Sequence, residues 1–188
     1  MRGTLLDEAL EAVAPIVADV RARGDEALLE WTERLDGPRP NGFRVPAAAI
    51  DDARVDDEVL AALRRMIDAV RAFSAAQRPA DTSVEAAPGI VSERRWLPLD
   101  AVGLCVPSGR SPLPSSLVMT AVPALVAGVR RVAVVTPTPS AAILVAAREL
   151  GIDEVYAVGG AQAVAALAYG TESIPAVDRK STRLNSSH

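Results

Sequence analysis

A loop between a predicted strand and a predicted helix carries the first residues that could bind a ligand. It runs from Val106 to Ser116 with the sequence VPSGRSPLPSS. Three prolines limit its backbone freedom, Gly109 would let a ligand approach the main chain, and Arg110 could meet an anionic group. A stiff connector with a helix-capping serine and a solvated arginine accounts for the same residues equally well.

A second junction of this kind is the segment VGGAQA from Val158 to Ala163, which leads directly from a strand into a helix. Gly159 and Gly160 permit a tight turn, and the free N–H groups at the helix start form a ready site for a phosphate. The amide of Gln162 can donate and accept hydrogen bonds there. Because the GxGxxG spacing is absent and no acidic residue follows about twenty positions on, a purely structural turn explains the segment equally well.

Cysteine and histidine each occur once, as Cys105 and His188. Cys105 lies in an apolar run at the end of a predicted strand and has no histidine near it in sequence, so a buried, unreactive thiol is the favoured interpretation. Three or four His or Cys ligands at metal spacing are absent. The chain by itself therefore predicts no zinc site and no catalytic residue.

Composition and charge narrow the range of partners. The formal net charge is -4 and the pI is near 5.1, so the chain has no basic field that would attract nucleic acid. Apolar stretches are interrupted well before the roughly 20 residues that a bilayer span needs, and the N-terminus lacks the pattern of a signal peptide. We expect a cytoplasmic protein that associates with neither nucleic acid nor a membrane.

The elements that must position these junctions begin with a helical region over residues 1–81. Apolar residues recur at helical spacing from Leu5 to Arg23. A second helix follows Gly24, with Asp25 as its cap, and ends before Gly37. A third helical pattern runs from about Asp56 to just before Pro79.

The pattern changes over residues 82–178. A hairpin is predicted first, with Pro88 and Gly89 in a type II turn. Short Val-rich runs then alternate with Ala-rich helical patterns, which is typical of a parallel sheet covered by helices. The predicted strands are 102–106, 132–136 and 154–158, and the predicted helices are 115–127, 140–150 and 161–169. The predicted fold class is α/β, with the N-terminal helical region followed by a Rossmann-like parallel βαβαβα unit.

Three segments of the chain together resemble the histidinol dehydrogenase family. They are VRARGDEAL from residue 20, LDAVGLCVPSGRSPLPSSLVMTAVPA from residue 99 and DEVYAVGGAQAVAALAYGTESIP from residue 153. The long Gly-Gly-Ala-Gln segment is the most diagnostic of the three. The resemblance covers nearly all of residues 1–178.

The resemblance implies an activity, two cofactors and a set of site residues. Members of the family oxidise L-histidinol through L-histidinaldehyde to L-histidine in histidine biosynthesis, with NAD and a bound zinc ion, as homodimers whose fold is similar to that of the aldehyde dehydrogenases. It implies that Gln162 contacts NAD and that Cys105 stands where the family has a tyrosine that contacts NAD. We place Gly160 and Gly109 at the same cofactor site. Two residues depart from the family pattern: Cys105 removes the tyrosine's aromatic ring and hydroxyl from the cofactor cleft, and Ser108 replaces the first glycine of the family's Pro-Gly-Gly. Both departures affect the expected affinity for NAD but not the expected fold.

The last ten residues, 179–188, depart from the family pattern. The family continues past Asp178 into a strand and a Gly-Pro-Gly-Asn loop, whereas this segment is polar and has no apolar period. We predict a disordered tail that is foreign to the fold. The family's zinc ligands, its general-base histidine and its water-activating glutamate are then expected beyond this chain.

The chain is accordingly interpreted as the cofactor-side portion of the enzyme, inactive alone and a homodimer only when complete. One alternative is a non-catalytic fragment, at most a weak nucleotide-binding or oligomerising module. Another is a family relative that oxidises a different small alcohol.

Overall fold

Three of the four helices before residue 80 follow the sequence patterns. In the computed structural model, which describes residues 2–38, 40–107 and 112–182, they span Arg2–Arg23 (α1), Asp25–Asp36 (α2), Ala47–Asp51 (α3) and Asp57–Ala76 (α4). Three of them confirm the three predicted helices. The fourth, α3, was not predicted because five residues are too few to show a helical period.

The start of α2 differs from its prediction. Gly24, with φ 59°, occupies the N-cap position, and Asp25 is the first helical residue rather than the cap. The short turn between α1 and α2 needs a left-handed backbone at this position, which glycine adopts without strain. The Asp25 N–H is instead bound by Glu172, a residue far along the chain.

The predicted hairpin is confirmed as an antiparallel pair of strands, β1 (Thr82–Ala87) and β2 (Ile90–Arg94). Gly89 has φ 78°, as the second central residue of a type II turn requires. Its N–H donates to the Glu85 carboxylate at 2.9 Å. Every residue of both strands is exposed, so the hairpin adds nothing to the core.

A parallel sheet forms the centre of the fold, and its strands are β3 (Ala101–Cys105), β4 (Arg131–Thr136), β5 (Glu154–Ala157) and β6 (Arg179–Thr182). Their order in the sheet is β5-β4-β3-β6. The connecting helices are α5 (Pro114–Ala127), α6 (Ala141–Glu149) and α7 (Gly160–Tyr169). The predicted α/β class is confirmed, and so are the three predicted strands with the helices that follow them.

Strand β6 corrects the prediction for the start of the tail. Residues 179–182 are not disordered but pair in parallel with residues 102–105 of β3. The polar sequence did not indicate this strand, because an edge strand is held by backbone hydrogen bonds and need not bury its side chains. Asp178 leads into it, with its N–H donating to the Ala101 carbonyl and its carboxylate accepting from the Ala101 N–H, both at 3.1 Å. Residues 183–188, including His188, lie outside the described residues.

Two apolar cores lie on opposite faces of the sheet. One face carries Val102, Leu104 and Val134 and packs against α4, α5 and α6. The opposite face carries Val135 and Tyr156 and packs against α1, α2 and α7. Both cores combine residues from before and after position 82, so the helical region folds onto the α/β region, and a domain boundary there stays a prediction. Within the described residues, no helix is both long and apolar enough to cross a membrane.

Candidate functional site

The strand order creates a topological switch point at the carboxyl end of β3. Helices α5 and α6 carry the chain from β3 to β4 to β5 along one face, and α7 returns it across the other face to β6, on the far side of β3. Ligands of open α/β sheets bind outside the carboxyl ends of the strands at such a point. The fold therefore favours a ligand beside the residues that follow β3.

Cys105 lies at this switch point. It is the last residue of β3 and pairs with Thr182 of β6. Its side chain is half-buried and packs against the apolar core on the face that α7 covers. The structure thus places Cys105 at the carboxyl edge of the sheet, and the apolar surroundings of its thiol fit an unreactive cysteine.

The loop after β3 is described only in part. Gly109 lies outside the described residues together with Ser108, Arg110 and Ser111, so its place at a cofactor stays a prediction. Helix α5 begins at Pro114, with Leu113 as its N-cap, rather than at a serine as expected. Proline suits the first helical position because an N–H there would have no intrahelical partner.

The paired glycines before Gln162 are both required by close contacts. A Cβ on Gly159 would lie 2.1 Å from Cγ of Pro137, and a Cβ on Gly160 would lie 2.5 Å from Oε1 of Gln162. Gly160 has φ 65° and is exposed as the first residue of α7. The first N–H groups of a helix have no intrahelical partner, so the start of α7 can receive an anionic group at this edge.

The side chain of Gln162 points inward and not into solvent. The residue is fully buried, and its Nε2 donates to Oδ2 of Asp36 at 2.9 Å. Its Oε1 is also buried and has no hydrogen-bond partner among the described residues. Contact between this side chain and a cofactor would therefore use Oε1 and would require the atoms that cover it to move.

Asp36 is a further residue of the candidate site, and nothing in the sequence predicted that it would lie there. It is the last residue of α2 and lies 126 positions from Gln162. Partial burial raises the pKa of Asp36 above its ordinary value, against the opposing effect of the hydrogen bond from Gln162. No local pattern could have identified this residue, because only the packing of α2 beside α7 brings it to the site.

Thr136 is a second buried polar residue that the sequence did not single out. It ends β4, is fully buried, and its Oγ1 has no hydrogen-bond partner within the described structure. The next residue, Pro137, contacts Gly159. Buried polar groups are normally hydrogen-bonded. Of the three buried side-chain oxygens without a partner in the described structure, those of Thr136 and Gln162 lie at the carboxyl edge of the sheet, and the third, Oδ1 of Asp25, lies at the start of α2.

A different polar cluster occupies the amino edge of the sheet. The guanidinium of Arg131 donates to the Glu154 carboxylate at 2.9 Å and to the carbonyl of Ala176 at 2.8 Å, and Tyr156 also donates to Glu154. Burial alone would raise the pKa of Glu154, but the hydrogen bonds and charge of Arg131 lower it overall. Arg131 and Glu154 also line a cavity of about 300 Å³. This cluster joins β4, β5 and the segment before β6.

A metal site is not found among the residues that the structure describes. Within them, no group of three or more His, Cys, Asp or Glu side chains is placed to hold a metal ion. The described part of the chain therefore does not fit a resident zinc ion.

The strand order defines an α/β protein whose parallel sheet is covered by helices on both faces, and the carboxyl edge at the reversal of strand order is its candidate ligand site. Residues 2–180 match the sequence model of the histidinol dehydrogenase family. The chain belongs to the histidinol dehydrogenase family.

Individual relatives agree with this assignment. The histidinol dehydrogenase of Deinococcus radiodurans is 53% identical over 174 residues, which are 90% of this chain and 40% of the relative. The one from Thermobifida fusca is 50% identical over 171 residues, 86% of this chain and 39% of the relative. The crystal structure of histidinol dehydrogenase from Elizabethkingia anophelis superposes with a TM-score of 0.85 at 30% identity, covering 90% of this chain and 41% of that one. The chain thus spans about 40% of the length of the relatives it matches.

Proposed function

We propose that this chain supplies the cofactor side of a histidinol dehydrogenase, which oxidises L-histidinol through L-histidinaldehyde to L-histidine in histidine biosynthesis, with NAD as the oxidant. The proposal includes a homodimer in the cytoplasm, a zinc ion held by residues beyond this chain, and a fold similar to that of the aldehyde dehydrogenases. The observation that carries it is the family match over residues 2–180, combined with a switch point that lies at the family's diagnostic segments.

Three features of the carboxyl edge support NAD as the ligand. The first turn of α7 presents backbone N–H groups beside the exposed Gly160, which suits a phosphate. Gln162 and Thr136 each carry a buried oxygen with no partner in the described structure, which suits a ligand rich in hydroxyl and amide donors. The last residue of β3 occupies the position of the family's NAD-contacting tyrosine; because that residue is Cys105 here, the proposal takes from it only the location of the cofactor and no contact of the tyrosine kind.

NAD, when bound, accepts the hydride that leaves the alcohol carbon. The residues of this chain bind and orient it: the start of α7 holds a negatively charged group, and the amide of Gln162 offers an acceptor. We assign no proton transfer and no zinc-dependent step to the described residues, because none of them forms a metal site. Gly109 is proposed to lie at the same cofactor on the strength of the family resemblance.

An NAD titration of the ¹⁵N-labelled chain tests the cofactor side of the proposal. We expect saturable shifts of the Gly159, Gly160 and Ala161 amides. The variant Gly160→Ala should abolish them, because its Cβ would lie 2.5 Å from Gln162 and would require φ 65°. Gly151→Ala is the matched control, since Gly151 has φ 71° but open space around its Cα. Shifts that never saturate, or equal losses in both variants, would favour the non-catalytic alternative.

A chimera tests the reaction and the substrate. The corresponding 40% of the Deinococcus radiodurans enzyme would be replaced by residues 2–180 of this chain, and NADH formation would be followed with L-histidinol and with other small amino alcohols. We expect turnover of L-histidinol in preference to the others. A folded chimera that oxidises another alcohol faster would support the family relative with a different substrate.

A further inference from the structure

We infer that Asp36 is a positioning residue for Gln162: its carboxylate holds the Nε2 end of the amide and leaves Oε1 as the end that faces the cofactor. The two residues lie on different helices, with Nε2 and Oδ2 separated by 2.9 Å. The inference rests on the proposed function, because that proposal assigns Gln162 to NAD.

The chemistry of the two groups determines which end of the amide Asp36 holds. An ionised carboxylate only accepts hydrogen bonds, whereas a glutamine amide has donors on Nε2 and acceptor lone pairs on Oε1. Asp36 therefore selects the Nε2 end. Because the amide is planar, fixing Nε2 also fixes the direction of Oε1.

The direction of Oε1 is toward the start of α7. A Cβ on Gly160 would come within 2.5 Å of Oε1, so this oxygen lies directly beneath the glycine. Gly160 is exposed, whereas Gln162 is fully buried. The buried acceptor thus lies next to the exposed Gly160 at the start of α7, and a ligand reaches it once the atoms that cover it move. A hydroxyl or amide N–H of NAD is the kind of donor that this acceptor lacks.

Local helix stability does not explain an acidic residue at the position of Asp36. It ends α2, where the helix dipole disfavours negative charge. Desolvation of its carboxylate also raises the pKa of Asp36 above its ordinary value. The hydrogen bond to Gln162 is the compensating contact that the structure provides.

Five variants of the 188-residue chain test the assignment through their dissociation constants for NAD, measured in the NAD titration described above. Asp36→Ala should weaken binding about tenfold, the effect of losing one charge-assisted hydrogen bond. Asp36→Asn keeps an acceptor oxygen and should bind within about threefold of the parent chain. Glu33→Ala, an exposed position on the same helix, should leave binding unchanged. In a Gln162→Ala background, Asp36→Ala should have no further effect.

Two results would overturn the inference. One is that Asp36→Ala weakens binding equally with and without Gln162, since the residue would then act through the general fold. The other needs no cofactor. The side-chain N–H resonances of Gln162 should shift in Asp36→Ala and stay unchanged in Glu33→Ala. Gln162 resonances that do not change in Asp36→Ala refute the contact. If the Gln162 signal does respond but no chain binds NAD saturably, the Asp36 contact is confirmed and the proposed function fails instead.

Discussion

The Glu172 carboxylate caps helix α2 from a position 147 residues away, accepting a hydrogen bond from the Asp25 N–H at 2.9 Å. Ser173, the next residue, donates to the Asp25 carboxylate. The start of α2 is thereby tied to the loop that follows α7. Since Asp36 at the other end of α2 contacts Gln162, both ends of this helix are held against α7 and its flanking segments.

Removal of this cap should destabilise the fold. Glu172→Ala leaves the Asp25 N–H without its partner, and we expect a loss of about 1 kcal/mol in the free energy of unfolding. Urea denaturation followed by circular dichroism measures it. Glu11→Ala, an exposed site on α1, is the control. Equal stabilities of the two variants would show that the long-range cap has no energetic role.

A side chain at Gly103 should destabilise the fold, because α7 lies directly on β3. A Cβ there would be 2.7 Å from Cδ1 of the fully buried Leu167. Gly103→Ala is expected to cost about 1–3 kcal/mol through overpacking. The cost should shrink in a Leu167→Ala background, where the contacting methyl groups are gone. An identical cost in both backgrounds would contradict this packing.

Two adjacent arginines should differ in their contribution to stability. Arg131 has a 27% exposed side chain and bonds to Glu154 and to backbone carbonyls, whereas the side chain of Arg130 is 82% exposed beside Asp100. We expect Arg131→Ala to lower the free energy of unfolding by about 2 kcal/mol, because it leaves the partly buried carboxylate of Glu154 without its cationic partner. Arg130→Ala should have little effect, as exposed ion pairs contribute little. Thermal unfolding of both variants measures the two losses of stability, and equal losses would contradict the expected difference.

The ion pair between Arg131 and Glu154 also predicts how the stability of the fold depends on pH. The folded-state pKa of Glu154 is lowered, so its contribution is present above the ordinary value of 4.5 and is lost as the pH falls through the lowered value. We therefore expect the stability difference between the parent chain and Arg131→Ala to narrow as the pH falls below 4.5. A difference that stays constant down to the acid limit of folding would argue against the ion pair.

Asp19 should titrate well below a normal aspartate. Hydrogen bonds from Arg23 and from the Trp31 indole lower the pKa of Asp19 from 3.8 to about 2. Its stabilising effect is thus present above 3.8 and lost as the pH falls toward 2. Trp31→Phe removes one bond and should raise this pKa part of the way to 3.8, as followed by carboxyl ¹³C NMR. Trp96→Phe, in the segment after the hairpin, should not change it.

The 188-residue chain should not oxidise L-histidinol by itself. The described residues contain no metal site, and our proposal assigns them only cofactor binding. We expect NADH formation from L-histidinol and NAD to remain at the background rate, even where NAD binds. Turnover close to that of the Deinococcus radiodurans enzyme under the same conditions would refute the division of roles proposed above.

The spacing of residues close together in the chain was sufficient to predict most of the helices and strands. Helical spacing from Leu5 to Arg23, Val-rich runs such as 132–136, and the turn at Gly89 each reflect interactions between near neighbours in the chain. The junctions after β3 and β5 were recognised for the same reason. Even the class of fold follows, since alternating strands and helices have few ways to cover a parallel sheet.

The sequence by itself therefore determined the family, the alternation of strands and helices, and the two strand-to-helix junctions that we propose bind the cofactor. Only the tertiary structure decided that residues 179–182 form the strand beside β3, that Glu172 caps α2, and that Gln162 turns inward to Asp36. The reason is physical: these contacts join groups far apart in the chain through single hydrogen bonds or backbone pairing. Such contacts leave no period or spacing in the sequence and exist only once the helices have packed on the sheet.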